Sequence, residues 1–270
     1  HLVLANNYPE YDDLYRNAFI HSRIKRYNSH NVGVDVFRLK PGSSLKFHEF
    51  EGQEVMTGSE VALDYLLSSN NYDSVLVHFL DENMWKVLTN YIDDIDVFVW
   101  LHGSEIQPWH RRKFNYESQE ELNKAKESSQ KKEEFWSSIL RDHHPRMHLI
   151  FVSEYFSEEV MDDYGIMIRD NGFSVIHNPI DTDRFTYRKK SPKDRFRILS
   201  IRTFASAKYA NDISVNAIIE LSERKDFERL DFLIIGDGAL FEEVTTPLAD
   251  MDNVTLNRGF LSNDEYERIF

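Results

Sequence analysis

A chain of 270 residues, 41% of them hydrophobic, can bury one large core or two ordinary ones. Its formal charge of −14 at pH 7 excludes a general nucleic-acid binder, whose affinity comes from clustered cations, and its lack of cysteine excludes a disulfide framework or thiolate metal site. No run approaches the roughly 18 consecutive apolar residues of a membrane-spanning helix, and the opening HLVLANNYPEY is too short an apolar run for a secretory signal, so the expected location is cytoplasmic.

Short apolar, β-branched runs alternate with amphipathic stretches along the whole chain, the pattern of parallel strands joined by helical crossovers, so the class is α/β. Strands are expected from Leu2 to Ala5, Val32 to Leu39, Ser74 to Phe79, Asp96 to Leu101, Met147 to Val152 and Ser174 to Ile176. Helices are expected near 12–27, 59–69, 82–91, 117–141 and 154–163, which together make a first domain over 1–178. The polar stretch HNPIDTDRFTYRKKSPKDR follows, with two prolines and no core of its own, and residues 179–195 read as a linker.

A second series fills 196–270: strand Arg197 to Ile201, a helix from about Ala207 to Arg224, strand Leu230 to Ile235, a helix from about Leu240 to Ala249, strand Asn253 to Leu256, and a helix from Asn263. In its first helix Ile213, Ala217 and Leu221 recur four apart, with Ala210 and Ile218 beside them, as a stripe expected to pack on a sheet. Three strands are fewer than the five or six of an open doubly wound sheet, so this second domain reads as incomplete. Between 117 and 134 the run ESQEELNKAKESSQKKEE predicts a solvated helix held by Glu120 with Lys124 and Glu127 with Lys131, or else an arm for a partner.

Several residues could carry chemistry. The segment LIIGDGAL runs from an apolar strand into Gly236-Asp237-Gly238 and a helix, where glycines permit a tight turn and close approach of a phosphate to backbone N–H groups. A turn that uses glycine for geometry alone explains the same residues. Arg202 sits past the preceding strand and Lys208 at the next helix start, a pair of cations suited to a diphosphate or simply solvated. In VFVWLHGSEI the strand ends at His102-Gly103, where an imidazole can hydrogen-bond a sugar hydroxyl or serve the fold. The loop continues as QPWHRRKFNY, in which Trp109, Phe114 and Tyr116 interleave with Arg111, Arg112 and Lys113, a mixture that stacks on sugars and attracts phosphate. Arg16 and Arg23, seven apart, with Lys25 and Arg26 make either a local basic face on the first helix or, as single exposed cations do, its ordinary solvation. Asp94-Ile95-Asp96 and Asp181-Thr182-Asp183 mimic a DxD metal motif, but acidic turn formers and caps explain both, and no metal is assigned.

The order of these segments is more specific than any one of them. YPEYDDLYRNAF, VWLHGSEI, FVSEYFSEEV, VIHNPIDTDRF, SIRTFASAK, IIGDGAL and NVTLNRGFLSNDE in series resemble the family 4 retaining glycosyltransferases, and the likeness spans essentially the whole chain. That resemblance implies two Rossmann-like domains of the GT-B kind, the first binding an acceptor and the second a nucleotide diphosphate sugar. It implies that Arg202 and Lys208 hold the donor diphosphate, that Gly236, Asp237 and Gly238 form the loop beside the nucleotide, and that His102 faces the transferred sugar. Gly103, Trp109, Arg111, Arg112 and Lys113 fall on the acceptor side. Transfer with retention would need no cofactor beyond the sugar nucleotide and no metal, and would serve a glycan or lipid-linked acceptor at the inner face of a membrane. Asn6-Asn7-Tyr8-Pro9 departs from the glycine pair common in that family after its first strand. Its acidic E-x7-E element is expected beyond Phe270, so the chain as given is expected not to turn over and to leave a sheet edge that aggregates or pairs in a homodimer. A non-catalytic sugar- or nucleotide-binding module and a sugar-nucleotide epimerase are the alternative readings.

Overall fold

Leu2–Ala5 (β1) is buried along its whole length, as a strand covered on both faces must be. In the computed structural model, which describes all residues except 15, 117, 183, 184, 262–264, 266–268 and 270, it lies inside an eight-stranded sheet. The order is β3 (Lys46–Phe50), β4 (Gln53–Gly58), β2 (Asp35–Leu39), β1, β5 (Ser74–His78), β6 (Asp96–Leu101), β7 (Met147–Phe151) and β8 (Phe173–Val175). Every pairing is parallel except β3 with β4. The helices are α1 (Ala18–Ser29), α2 (Glu60–Ser69), α3 (Glu82–Leu88), α4 (Gln119–Arg141) and α5 (Glu154–Tyr164). Alternation along the strands feeds two cores: Val3, Val36 and Val55 meet Ile20 and Ile24 of α1, whereas Leu2, Leu4, Val75, Val97 and Val99 share the other core with Leu63, Trp136 and Ile139.

Two expectations change here. The β3–β4 hairpin was not predicted; it turns on Glu51 and Gly52, both at positive φ (46° and 82°), the two-residue loop whose twist suits paired strands. α1 starts at Ala18 rather than near residue 12, because residues 10–13 form an isolated bridge and Asn17 (φ 53°) breaks the helical path.

The chain divides into one compact unit of His1–Arg111 with Asn123–Asn178 and another of Arg112–Leu122 with Pro179–Phe270. The second holds three parallel strands in the order β11 (Val254–Arg258), β10 (Asp231–Gly236), β9 (Arg197–Ile201). Its helices α6 (Asn211–Ser222) and α7 (Phe241–Thr245) close a core of Phe204, Val215, Ile218, Phe232, Ile234, Phe241 and Leu248. The stripe expected on α6 is corrected: Ile213 is 65% exposed and Ala217 is exposed, and the buried face is Asn211, Val215 and Ile218, spaced four and three. α7 stops early where Pro247 falls in a 3₁₀ turn. The helix expected from Asn263 lies outside the described residues, among which no helix is long and apolar enough to cross a membrane.

Candidate functional site

In the second unit the ends of β9 and β10 are laced together. Arg202 N donates to Ile235 O (3.0 Å), Phe204 N to Asp237 O (2.8 Å) and Leu240 N to Phe204 O (3.1 Å). A Cβ on Gly236 would lie 1.8 Å from Arg202 O, and one on Gly238 (φ 146°) 2.3 Å from Phe204 C and Ala205 N. Both glycines are therefore required by backbone packed on backbone, whatever the loop binds. Asp237 caps its own loop by accepting from Gly238 N (2.8 Å) and pairs with Arg258 at 2.8 Å, contacts that hold its carboxyl below the usual carboxylate range, the Arg258 bond most of all.

The two predicted cations converge on Tyr209. Arg202 donates to Tyr209 O (2.8 Å), and Lys208 Nζ lies 4.8 Å from the Tyr209 ring; both side chains are exposed. Beside them α6 begins after Ala210 (φ 53°) with no side-chain cap, which leaves its first N–H groups open at the positive end of the helix dipole. Sequence reasoning missed Arg258, in register with Gly236 across the sheet; the signal was its place at the carboxyl end of a strand. It also missed Asn115, which hydrogen-bonds Ser206 at 2.8 Å from far away in sequence.

In the first unit His102 follows β6 at the carboxyl edge of the sheet. Its Nε2 meets His78 Nδ1 at 3.0 Å, and its ring packs on Phe79 (4.5 Å) and Phe19 (4.8 Å). Phe79 sits at φ 59°, costly for a bulky side chain and therefore held there by its surroundings. Burial brings the His102 imidazole down to about 4 with Arg23 adding to it, and burial, then His102 and Arg23, hold His78 well below its ordinary value. Both rings are thus neutral at pH 7, and His102 Nδ1 has no hydrogen-bond partner among the described residues. Gly103 (φ 122°) turns the loop, and the Glu105 carboxylate clamps it by accepting from His102 N. His78, in VLVHF, was missed although it is the last residue of β5, as His102 in VWLHG is the first after β6.

The basic-aromatic loop forms a 3₁₀ segment over Trp109–Asn115. Trp109 N donates to Ser129 Oγ (2.8 Å), and Lys126 Nζ lies 4.8 Å from the Trp109 ring. Arg111 grips the buried Asp163 with Nε (3.0 Å) and NH2 (2.8 Å) and reaches Glu159 at 3.6 Å, so its charge is already matched. Arg112 is half-buried and Lys113 exposed. The basic face expected on α1 is corrected: Arg16 precedes the helix and pairs with Asp13 (3.0 Å), Lys25 pairs with Glu51 (2.9 Å), and Arg23 is buried with its guanidinium 5.7 Å from the Trp100 ring. Asp96 of the first DxD look-alike pairs with Arg146 (3.0 Å); Asp183 of the second lies outside the described residues.

No protein-family model matches the chain, and a comparison with curated proteins finds no match. Solved structures do match. WaaG, a glycosyltransferase involved in lipopolysaccharide biosynthesis, superposes with a TM-score of 0.59 at 10% identity over 100% of this chain and 72% of its own. The α,α-trehalose 6-phosphate synthase of Burkholderia multivorans gives 0.55 at 9% identity over 98% of this chain and 74% of its own. Likeness at that identity establishes the fold: α/β, with the Rossmann-like units of the GT-B glycosyltransferases.

Proposed function

We propose that the protein is a retaining glycosyltransferase that moves a sugar from a nucleotide diphosphate sugar to a polysaccharide or lipid-linked acceptor. The observation that carries the reading is the convergence of Arg202 and Lys208 on Tyr209, beside the Gly236–Gly238 turn and the open start of α6, at the carboxyl edge of the second sheet. Two cations with unspent hydrogen bonds and a helix start match the needs of a diphosphate, which gains negative charge as the glycosidic bond breaks; donors fixed before the reaction stabilise that charge without reorganisation. His102 is proposed to hydrogen-bond the transferred sugar through Nδ1 as a neutral ring, so that it places no second cation beside a developing oxocarbenium centre. Trp109, Arg112 and Lys113, with the turn at Gly103, are proposed for the acceptor side, while Arg111 orders their loop. No cofactor beyond the sugar nucleotide enters this scheme, and the reaction is placed in the cytoplasm, at the inner membrane face for a lipid-linked acceptor.

Arg202→Ala and Lys208→Ala are each expected to remove a charge-assisted contact worth about 1.5–3 kcal/mol, or roughly a tenfold to hundredfold loss of affinity for a uridine, guanosine or adenosine diphosphate sugar. Calorimetry with this chain reads the change. Unaltered affinity in both variants sinks the donor assignment.

A further inference from the structure

Arg23 carries a buried charge for which the described residues supply no counterion. It is 7% exposed; its guanidinium donates to Asn178 Oδ1 at 3.1 Å, contacts the Tyr27 hydroxyl and lies over Trp100, all neutral groups. The titratable groups facing it are Tyr27 on its own helix, His78 on β5 and His102 after β6; burial is the largest influence on both imidazoles, Arg23 depresses both further, and no carboxylate joins them among the described residues. Two donors at this spot are buried and unspent, Arg23 Nε and Trp100 Nε1. Burying an unpaired charge opposes folding, and proteins keep such groups where something else compensates. In a chain of charge −14, Arg16, Lys25, Arg38, Arg111 and Arg146 of the same unit reach carboxylates, whereas this buried arginine meets neutral groups.

We propose that Arg23 seats an oxyanion, a phosphate or carboxylate group, of a ligand bound at the carboxyl edge of the first sheet beside His78 and His102. The inference rests on reading that edge as the acceptor side, and it deepens that reading by making the acceptor anionic, a uronate or a phosphorylated glycan. The planar guanidinium and the indole N–H then complete their hydrogen bonds on the anion, and the buried charge is neutralised only in the complex.

The test follows the Arg23 Nε–H resonance and the melting temperature of the 270-residue protein during titration with inorganic phosphate, pyrophosphate and glucuronate, with glucose as the uncharged control. The expected result is that an anion shifts the resonance and raises the melting temperature, and that glucose does neither. Arg23→Gln should lose the anion response while melting no lower than the wild type, because it deletes an uncompensated charge; Arg23→Lys should respond weakly. A response to phosphate or glucuronate supports the acceptor seat, and a response to pyrophosphate alone overturns it in favour of a donor contact. The proposal falls if no anion moves the resonance in the wild-type protein, or if the thermal response survives in Arg23→Gln. A sugar-nucleotide response that persists in Arg23→Gln and vanishes in Arg202→Ala belongs to the donor site, so the failure of one reading is separable from the failure of the other.

Discussion

His102 shows how a residue's surroundings decide its chemistry. Unfolded, its imidazole takes a proton near pH 6.5; folded, it does not until about 4, so the unfolded chain binds more protons throughout that interval. The contribution to stability is present above pH 6.5 and drains away as pH falls to about 4, reaching roughly 3 kcal/mol at one pKa unit per 1.36 kcal/mol. Urea midpoints from pH 7 to pH 4 should fall accordingly, and His102→Gln should flatten the curve; a variant with the wild-type slope would place the titration elsewhere. The sequence made His102 visible because it ends an apolar strand, but its partner His78 and the field of Arg23 belong to other elements and appear only in three dimensions. Gly236 and Gly238 were legible as a turn for the same local reason. That they are glycine because Arg202 O and the Phe204–Ala205 backbone leave no room for a Cβ could not be read from one strand end.

At the scale of elements, periodicity found the buried strands and most helices, since burial on both faces writes itself as unbroken apolar runs. It failed where charge masks alternation. KFHEFEGQEVM forms an edge hairpin in which Phe47 is 58% exposed and, of β3, only Phe50 is buried, so apolar residues stand on both faces among charges and no alternation marks a strand. It failed again at Trp109–Asn115, whose cations looked alike and are not. Asp163 is buried and held by Arg111 through three hydrogen bonds from two guanidinium nitrogens, so Arg111→Ala should strand a carboxylate and cost about 2–3 kcal/mol, discounted because Arg111 itself is a third exposed. Arg112→Ala with Lys113→Ala should stay within about 0.5 kcal/mol. Thermal unfolding of the two variants checks the division of labour: equal losses would mean that the loop is held by all three cations rather than by Arg111.

For the whole molecule, the parallel sheets and the α/β class followed from alternation of element types, whereas the membership of residues 112–122 did not. Those residues lie amid first-unit sequence yet group with the second unit, where Asn115 meets Ser206. The backbone accordingly leaves and re-enters the first unit before its final departure after Asn178, and a cut there severs one of three covalent passages. Dissection by genetic truncation at 178 should therefore yield two unequal cripples rather than two independent domains: a fragment 1–178 carrying an orphaned insert, and a fragment 179–270 missing a piece of its own wall. Co-expressed, they should behave as a split protein, with the insert of one serving as the complement of the other. Co-purification of the pair that is lost on Asn115→Ala together with Ser206→Ala is the expected result, and a fragment 179–270 that folds as well alone as with its mate would show that the insert is dispensable.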